Sequence, residues 1–336
     1  MVLAAIVALA VALESRRAIV LNDDFEYTVD RTDANAVETF VANGWTGAKT
    51  EGDSEPGANG WLYTTPYSSI SGGCGTSPNG SSRALVIEAK PNTEGGQTDF
   101  YLQLGNGSSG AFDDYLPANL WIQFWTCTQD AGGNTSGRLN RNKFLYVCNG
   151  TYGCSTHLWM VVEMACNSVP PYSQAACSSN SPTAEFFWMI GSAAGVSTMT
   201  WAAAGVDPGA DDQWGQNIDA TPMPANAWRL VKMNIDTSGA TGRARMWAAA
   251  PGGSFTLIMD HQHGVDDITF TYPSPSGHRE LRMPTTVGHA SDSAQRQDYW
   301  MYMDDFAIAE SEGDLQTYAS ASTGPTRLRI RGEDAP

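Results

Sequence analysis

The chain has 336 residues, of which 16% are charged, 42% hydrophobic and 34 glycine; this is a turn-rich globular composition that excludes coiled-coil and disordered chains. The 36 acidic against 19 basic residues give a formal net charge of −17. Such a surface repels nucleic-acid phosphates and anionic lipids, and accepts a polyanion only where basic residues cluster locally. The length is near the upper end for one domain, and no Pro/Ser linker divides it. The expected organisation is an apolar segment over residues 1–19, one β domain over 20–318 and a polar tail over 319–336.

Residues 2–13, VLAAIVALAVAL, form an apolar run that is too short to cross a bilayer and has the length of a signal-peptide core. Ala8 and Ala10 supply small residues for cleavage, but no Lys or Arg precedes the run. A cleaved signal and an arm that docks on a partner or scaffold both remain open. LNDDFEY at 21–27 reads as the first strand, and a short helical turn is expected near Ala34–Ala42.

From there the pattern is period-two alternation broken by Gly, Pro, Asn and Asp. It predicts strands at 85–90, 99–104, 120–127, 143–148, 157–165, 185–190, 227–236, 242–249, 255–260, 281–287 and 299–309. Residues 167–183 and 202–226 read as long loops. The tail from Ala319 carries Arg327, Arg329 and Arg331 at alternate positions, the pattern of an appended strand or contact arm. Many antiparallel strands at this spacing predict an all-β, two-sheet antiparallel β-sandwich, or jelly roll.

Two stretches pair acids with alternating apolar residues. Asp23 and Asp24 lie in the first strand, and Asp304 and Asp305 in the last, YWMYMDDFAIAE. If these strands are neighbours, the four carboxylates converge and Ca²⁺ is the natural partner; solvated strand-edge charges are the alternative.

The six cysteines contain no C-x-x-C pair, which disfavours a zinc ribbon or a thioredoxin-type site. Cys148 and Cys154 flank a short loop and Cys166 and Cys177 a longer one, so disulfide-closed loops of an oxidised, extracellular protein are expected. The connectivity stays open. Asn79, Asn106, Asn134 and Asn149 each begin an N-x-S/T sequon in a Gly/Ser-rich turn.

Alternation also sorts the strand faces. Trp121, Gln123 and Trp125 share one side of their strand, and His157, Trp159 and Glu163 one side of theirs. Lys232 and Asn234 lie together, as do Arg245 and Trp247. Aromatic rings stack on the C–H faces of pyranoses while amides and charged groups bond the hydroxyls, so this set is a candidate polysaccharide surface. The same pattern suits a wetter second core beneath a loop.

The run NAWRLVKMNIDTSGATGRARMWAA at 226–249, with LNDDFEY and YWMYMDDFAIAE, resembles the concanavalin A-like lectin/glucanase superfamily, in its LamG-like and polysaccharide-lyase-like jelly rolls. The resemblance implies a curved two-sheet jelly roll with a concave glycan-binding face and often one structural Ca²⁺. NRNKFLYVCNGTYGC resembles jelly-roll proteins of environmental tailed phages, which implies a virion structural or decoration protein.

Catalytic signatures are incomplete. Glu51-Gly-Asp53-Ser-Glu55 is similar to the E-x-D-x-E motif of family 16 glycoside hydrolases but lacks its apolar spacers. His278-Arg279-Glu280-Leu281-Arg282 resembles the R-x-E-L-R motif of family 7 alginate lyases, late in the chain and without that family's companion motifs; Arg279 and Arg282 suit a carboxylate. His261 and His263 have a metal-site spacing without an identifiable third ligand. If the protein is an enzyme, a lyase or glycoside hydrolase, Glu163 and His157 are the acid/base candidates, with Tyr299 and Tyr302 as proton donors for a lyase. The expected protein is thus a polysaccharide-binding sandwich, secreted or displayed on a particle surface, with no nucleic-acid partner and no transmembrane span; assembly into a homo-oligomer is open.

Overall fold

A computed structural model describes residues 21–52, 59–90, 97–99, 101–105, 116–130, 226–236, 238, 243–262, 280–283, 286–288 and 299–319, and describes 141–148, 156–165 and 185–194 by their backbone pairing, Val147 apart. Among these residues the strands are β1 (Leu21–Asp23), β2 (Gly47–Lys49), β3 (Glu51–Gly52), β4 (Asn59–Pro66), β5 (Arg83–Lys90), β6 (Gln97–Asp99), β7 (Tyr101–Gly105), β8 (Asn119–Asp130), β9 (Arg141–Cys148), β10 (Thr156–Ala165), β11 (Glu185–Ala194), β12 (Arg229–Asp236), β13 (Arg243–Ala249), β14 (Thr256–Gln262), β15 (Glu280–Met283), β16 (Thr286–Gly288) and β17 (Tyr299–Ala309). The helices are α1 (Ala36–Ala42) and α2 (Glu312–Ala319), and two 3-10 turns cover Tyr67–Ser69 and Gly72–Gly75.

The strands form two antiparallel sheets. One has the order β14-β13-β12-β8-β17-β5-β4-β3, with β1 also paired to β17. The other has the order β11-β10-β9-β15-β7-β2, with β16 joined to β9 and β6. The all-β sandwich read from the alternation is the observed architecture. Apolar residues at alternate positions along each strand line the buried face of each sheet. Leu85, Ile87, Ile122, Phe124, Val231, Met233, Met301, Met303 and Ile308 in the first, and Leu102, Leu104, Leu281 and Met283 in the second, are all at most 1% exposed. Each such side chain contributes about 1.5–3 kcal/mol by leaving water.

Trp45, just before β2, ties the two sheets. Its ring lies between Phe25 (6.5 Å, stacked) and Phe306 (5.4 Å), and Phe306 in turn stacks on Phe124 at 6.2 Å. The two phenylalanines close the two Asp-Asp-Phe runs, one at each end of the chain.

The apolar segment 1–20, the tail from 320, Cys154, Cys166, Cys177, Asp53, Glu55, His263, Arg279 and the sequons at Asn106, Asn134 and Asn149 lie outside the described residues. So do the side chains of Cys148, Tyr299 and His261. No helix among the described residues is long and apolar enough to cross a membrane.

Candidate functional site

The strands that carry the two acid pairs, β1 and β17, are neighbours: Leu21, Asn22 and Asp23 align with Ile308, Ala307 and Phe306. The carboxylates nevertheless separate. β17 breaks register with β8 between Asp304 and Ala307, and Asp305 there has a left-handed φ of 47°. This bulge inserts one residue, so Asp304 and Phe306 project from opposite faces. Asp23, aligned with Phe306, is on the buried face, and Asp304 is on the outer one.

Each carboxylate is met by protein donors. Asp23 accepts from Trp45 Nε1 at 2.6 Å, Tyr27 Oη at 2.7 Å and the Phe25 amide at 2.9 Å. Burial outweighs these bonds and pushes its carboxyl up to about 7. Asp304 accepts from Tyr67 Oη and from the Asp305 amide, both at 2.8 Å. Burial, and then the charge of Asp305, raise it well above the usual carboxylate range. Burial likewise raises the Tyr67 hydroxyl, with Asp304 adding to the shift. Asp24 accepts from the Glu26 amide at 3.2 Å, and Asp305 accepts from Asn79 Nδ2. Oxygens committed to N–H and O–H donors on two faces do not fit one shared Ca²⁺. Among the described residues no group of three or more His, Cys, Asp and Glu is arranged to hold a metal.

The candidate sugar residues divide between the sheets. Trp121 aligns with Asn234, Gln123 with Lys232, Asn234 with Arg245 and Lys232 with Trp247. Trp125 shares their side on β8, so seven of the eight lie on the outer face of the nine-stranded sheet. Trp159 does not join them. Its strand, β10, pairs with β9 and β11 in the other sheet, which takes His157 and Glu163 with it. Nor is the seven-residue face open. Trp121, Gln123, Lys232 and Asn234 are at most 8% exposed. Leu315 of α2 packs on Trp121, Ala307 and Ala309 there, with Trp247 against them.

Next to that patch the two 3-10 turns cover the sheet. Tyr67, Ile70 and Cys74 pack on Ala84, Val86, Cys127, Trp228 and Tyr302. A Cys74–Cys127 disulfide fixes this cover to β8, and Trp228 Nε1 donates to the Cys74 carbonyl at 3.1 Å. Sequence spacing drew attention to the other four cysteines and missed this bond, whose partners are 53 residues apart.

The eight-stranded sheet presents a different surface. Leu281 and Met283 are fully buried, so Glu280 and Arg282 project to its outer side. Arg282 Nε donates to Glu280, whose side chain is only 2% exposed against 27% for that of Arg282. The Arg282 guanidinium carbon is 4.6 Å from the Tyr101 ring centroid. Backbone register places it in a row that runs Gly47, Gln103, Arg282, Tyr146, Trp159, Gly191. A parallel row runs Gly105, Glu280, Cys148, His157, Ala193. The sequence does not single out Tyr101 and Gln103, because TDFYLQLG reads only as a strand. The HRELR run stands out in the sequence, but the place of its Glu280, Leu281 and Arg282 on an inner strand, between β9 and β7, is set by pairings from distant segments.

No protein-family model matches the chain, and no curated protein matches it. Solved structures similar to it are a PL-14 alginate lyase from Aplysia kurodai, a GH131 β-glucanase catalytic domain from Podospora anserina and the metal-free lectin I-B4 from Griffonia simplicifolia. The lyase is 16% identical with a TM-score of 0.40, over 74% of this chain and 90% of that one. The glucanase is 10% identical with a TM-score of 0.39, over 79% and 84%. The lectin is 8% identical with a TM-score of 0.30, over 78% and 91%.

Proposed function

We propose that the chain binds a polysaccharide on the outer side of the eight-stranded sheet, along the row Gln103, Arg282, Tyr146, Trp159. The observation that carries this is Arg282: a partly exposed guanidinium, oriented by a buried carboxylate and lying on a tyrosine ring. A guanidinium held in this way bonds hydroxyls or a carboxylate in fixed geometry, and ring faces supply the stacking surface a sugar needs. The Cys74–Cys127 disulfide supports a place outside the reducing cytosol, secreted or on a particle surface.

A second reading, a polysaccharide lyase or hydrolase on this face, draws support from register alone. His157 stands two strands from Glu280 in one row, and Trp159 two strands from Arg282 in the next.

The test is a polysaccharide panel read by retention in affinity gels and by release of reducing ends, with absorbance for unsaturated products. Retention without new ends, lost at least tenfold in Arg282→Ala and in Trp159→Ala, is the result expected for a binding protein. New ends with the absorbance identify a lyase, and without it a hydrolase. No retention and no products, or retention that survives both substitutions, overturns the assignment to this face.

A further inference from the structure

The face of the nine-stranded sheet beneath α2 carries a second set of groups, independent of the row just described. The Trp121 and Trp247 rings stack at 5.7 Å and 15°. The Arg245 guanidinium carbon lies 5.4 Å from the Trp247 centroid and 6.0 Å from that of Trp121. One of its NH2 groups donates to Asn234 Oδ1 at 2.6 Å, but its buried Nε has no hydrogen-bond partner. Lys232 Nζ stands 4.9 Å from the Trp247 centroid and 4.3 Å from that of Phe255, itself 36% exposed. Two cations, an amide and a pair of indoles thus form one shelf on a chain whose net charge is −17.

The carboxylate that meets Lys232 comes from α2: Glu312. The neighbouring Arg243 is paired with Asp260 instead. Helix α2 is acidic, with Glu312 and Asp314 in its first turn and no basic residue in its last. It has eight residues, too few to be stable without tertiary contacts. Among the described side chains, its hold on the sheet is Leu315 and an ion pair whose Glu312 end is 42% exposed. Pairs that wet are weak. The helix also leaves the Arg245 Nε without an acceptor, which a ligand oxygen would supply.

We propose that this shelf is a second binding site, for an anionic sugar ring, carboxylated or sulfated, and that α2 is its displaceable occupant. The indoles take the C–H face of the ring, Lys232 and Arg245 take its acid group, and Asn234 orients Arg245 from below. The acidic turn of α2 stands in for that anion when the site is closed.

The test uses trigalacturonate as the probe and maltotriose as the neutral control, in an Arg282→Ala background so that the other sheet does not contribute. A chain ending at Glu310, and full-length Leu315→Asp, are compared with that parent by calorimetric titration. The expected result is at least tenfold tighter trigalacturonate binding in both, no gain for maltotriose, and loss of the gain when Arg245→Ala is added. On the intact chain, millimolar trigalacturonate should speed amide exchange across residues 312–319. Helix-free protein that is folded by near-UV circular dichroism yet binds no better than the parent overturns the proposal, as does a gain that Arg245→Ala leaves in place. If neither variant folds, unchanged exchange in α2 of the intact chain overturns it. Loss of binding in the Arg282→Ala parent itself bears on the eight-stranded face, so the two failures are distinguishable.

Discussion

The indole Nε1 of Trp45 donates a 2.6 Å hydrogen bond to Oδ2 of Asp23, joining the approach to the second sheet to the first strand of the other. Trp45→Phe keeps a ring between Phe25 and Phe306 but leaves that oxygen with one donor fewer. A hydrogen bond to a charged or buried carboxyl supports about 1.5–3 kcal/mol, so urea denaturation should show a loss of that size. A loss below about 0.5 kcal/mol would mean that Tyr27 and the Phe25 amide suffice.

Asp23 also gives stability a pH dependence. Burial pushes its carboxyl up to about 7 in the folded chain, from an ordinary value of 3.8. Between those values the native chain holds a proton that the unfolded chain has released, so this group makes stability fall as pH rises from about 4 to about 7. Relative to Asp23→Asn, which cannot ionise, the parent should lose up to about 4 kcal/mol over that window. Denaturation curves at several pH values decide it, and a difference that stays flat from pH 4 to pH 8 would show that the group ionises normally.

The Cys74–Cys127 bond closes a loop of 53 residues, for which the chain-entropy estimate is about 4 kcal/mol. The paired change Cys74→Ala with Cys127→Ala should lower the unfolding free energy by about that amount. Because the bond pins a surface cover and not the core between the sheets, far-UV circular dichroism should stay unchanged at room temperature.

Asp305 sits at φ 47°, with its carboxylate on Asn79. Asn tolerates left-handed backbone, whereas Ala pays roughly 1–2 kcal/mol there. Asp305→Asn should therefore be close to neutral, and Asp305→Ala should cost about 1–2 kcal/mol. Equal stabilities for the two would mean that the bulge relaxes on substitution.

The pattern of alternation made most strands legible before any pairing was known. Residues 299–309 match the full span of β17, 242–249 cover β13 with one residue to spare, and 185–190 match the start of β11. Strand β4 was missed because its NGWLYTTP opens on a turn signal and ends on proline. Helix α2 was missed because its apolar pattern is faint. Its start signal was present: Ser311 and Asp314 cap one another, with Ser311 Oγ donating to the Asp314 carboxylate at 2.6 Å. The site was legible as faces but not as neighbours. Period two places Trp121 beside Gln123 on any sheet, yet only long-range pairing sends Trp159 to the other sheet. It takes one bulged residue to part Asp23 from Asp304, and alternation read along a single strand does not register it.

The last strand among the described residues is an interior strand. β17 lies between β8 and β5 and also pairs with β1, so until residue 309 has been made the other described strands of this sheet form two separate ribbons with facing open edges, and β1 belongs to neither. During synthesis those edges are bare hydrogen-bonding templates, available to any other extended chain. The domain therefore closes only after translation has passed its end. A chain cut short before β17 is not a smaller version of this protein but a sticky precursor, whose fate depends on being held apart from its neighbours.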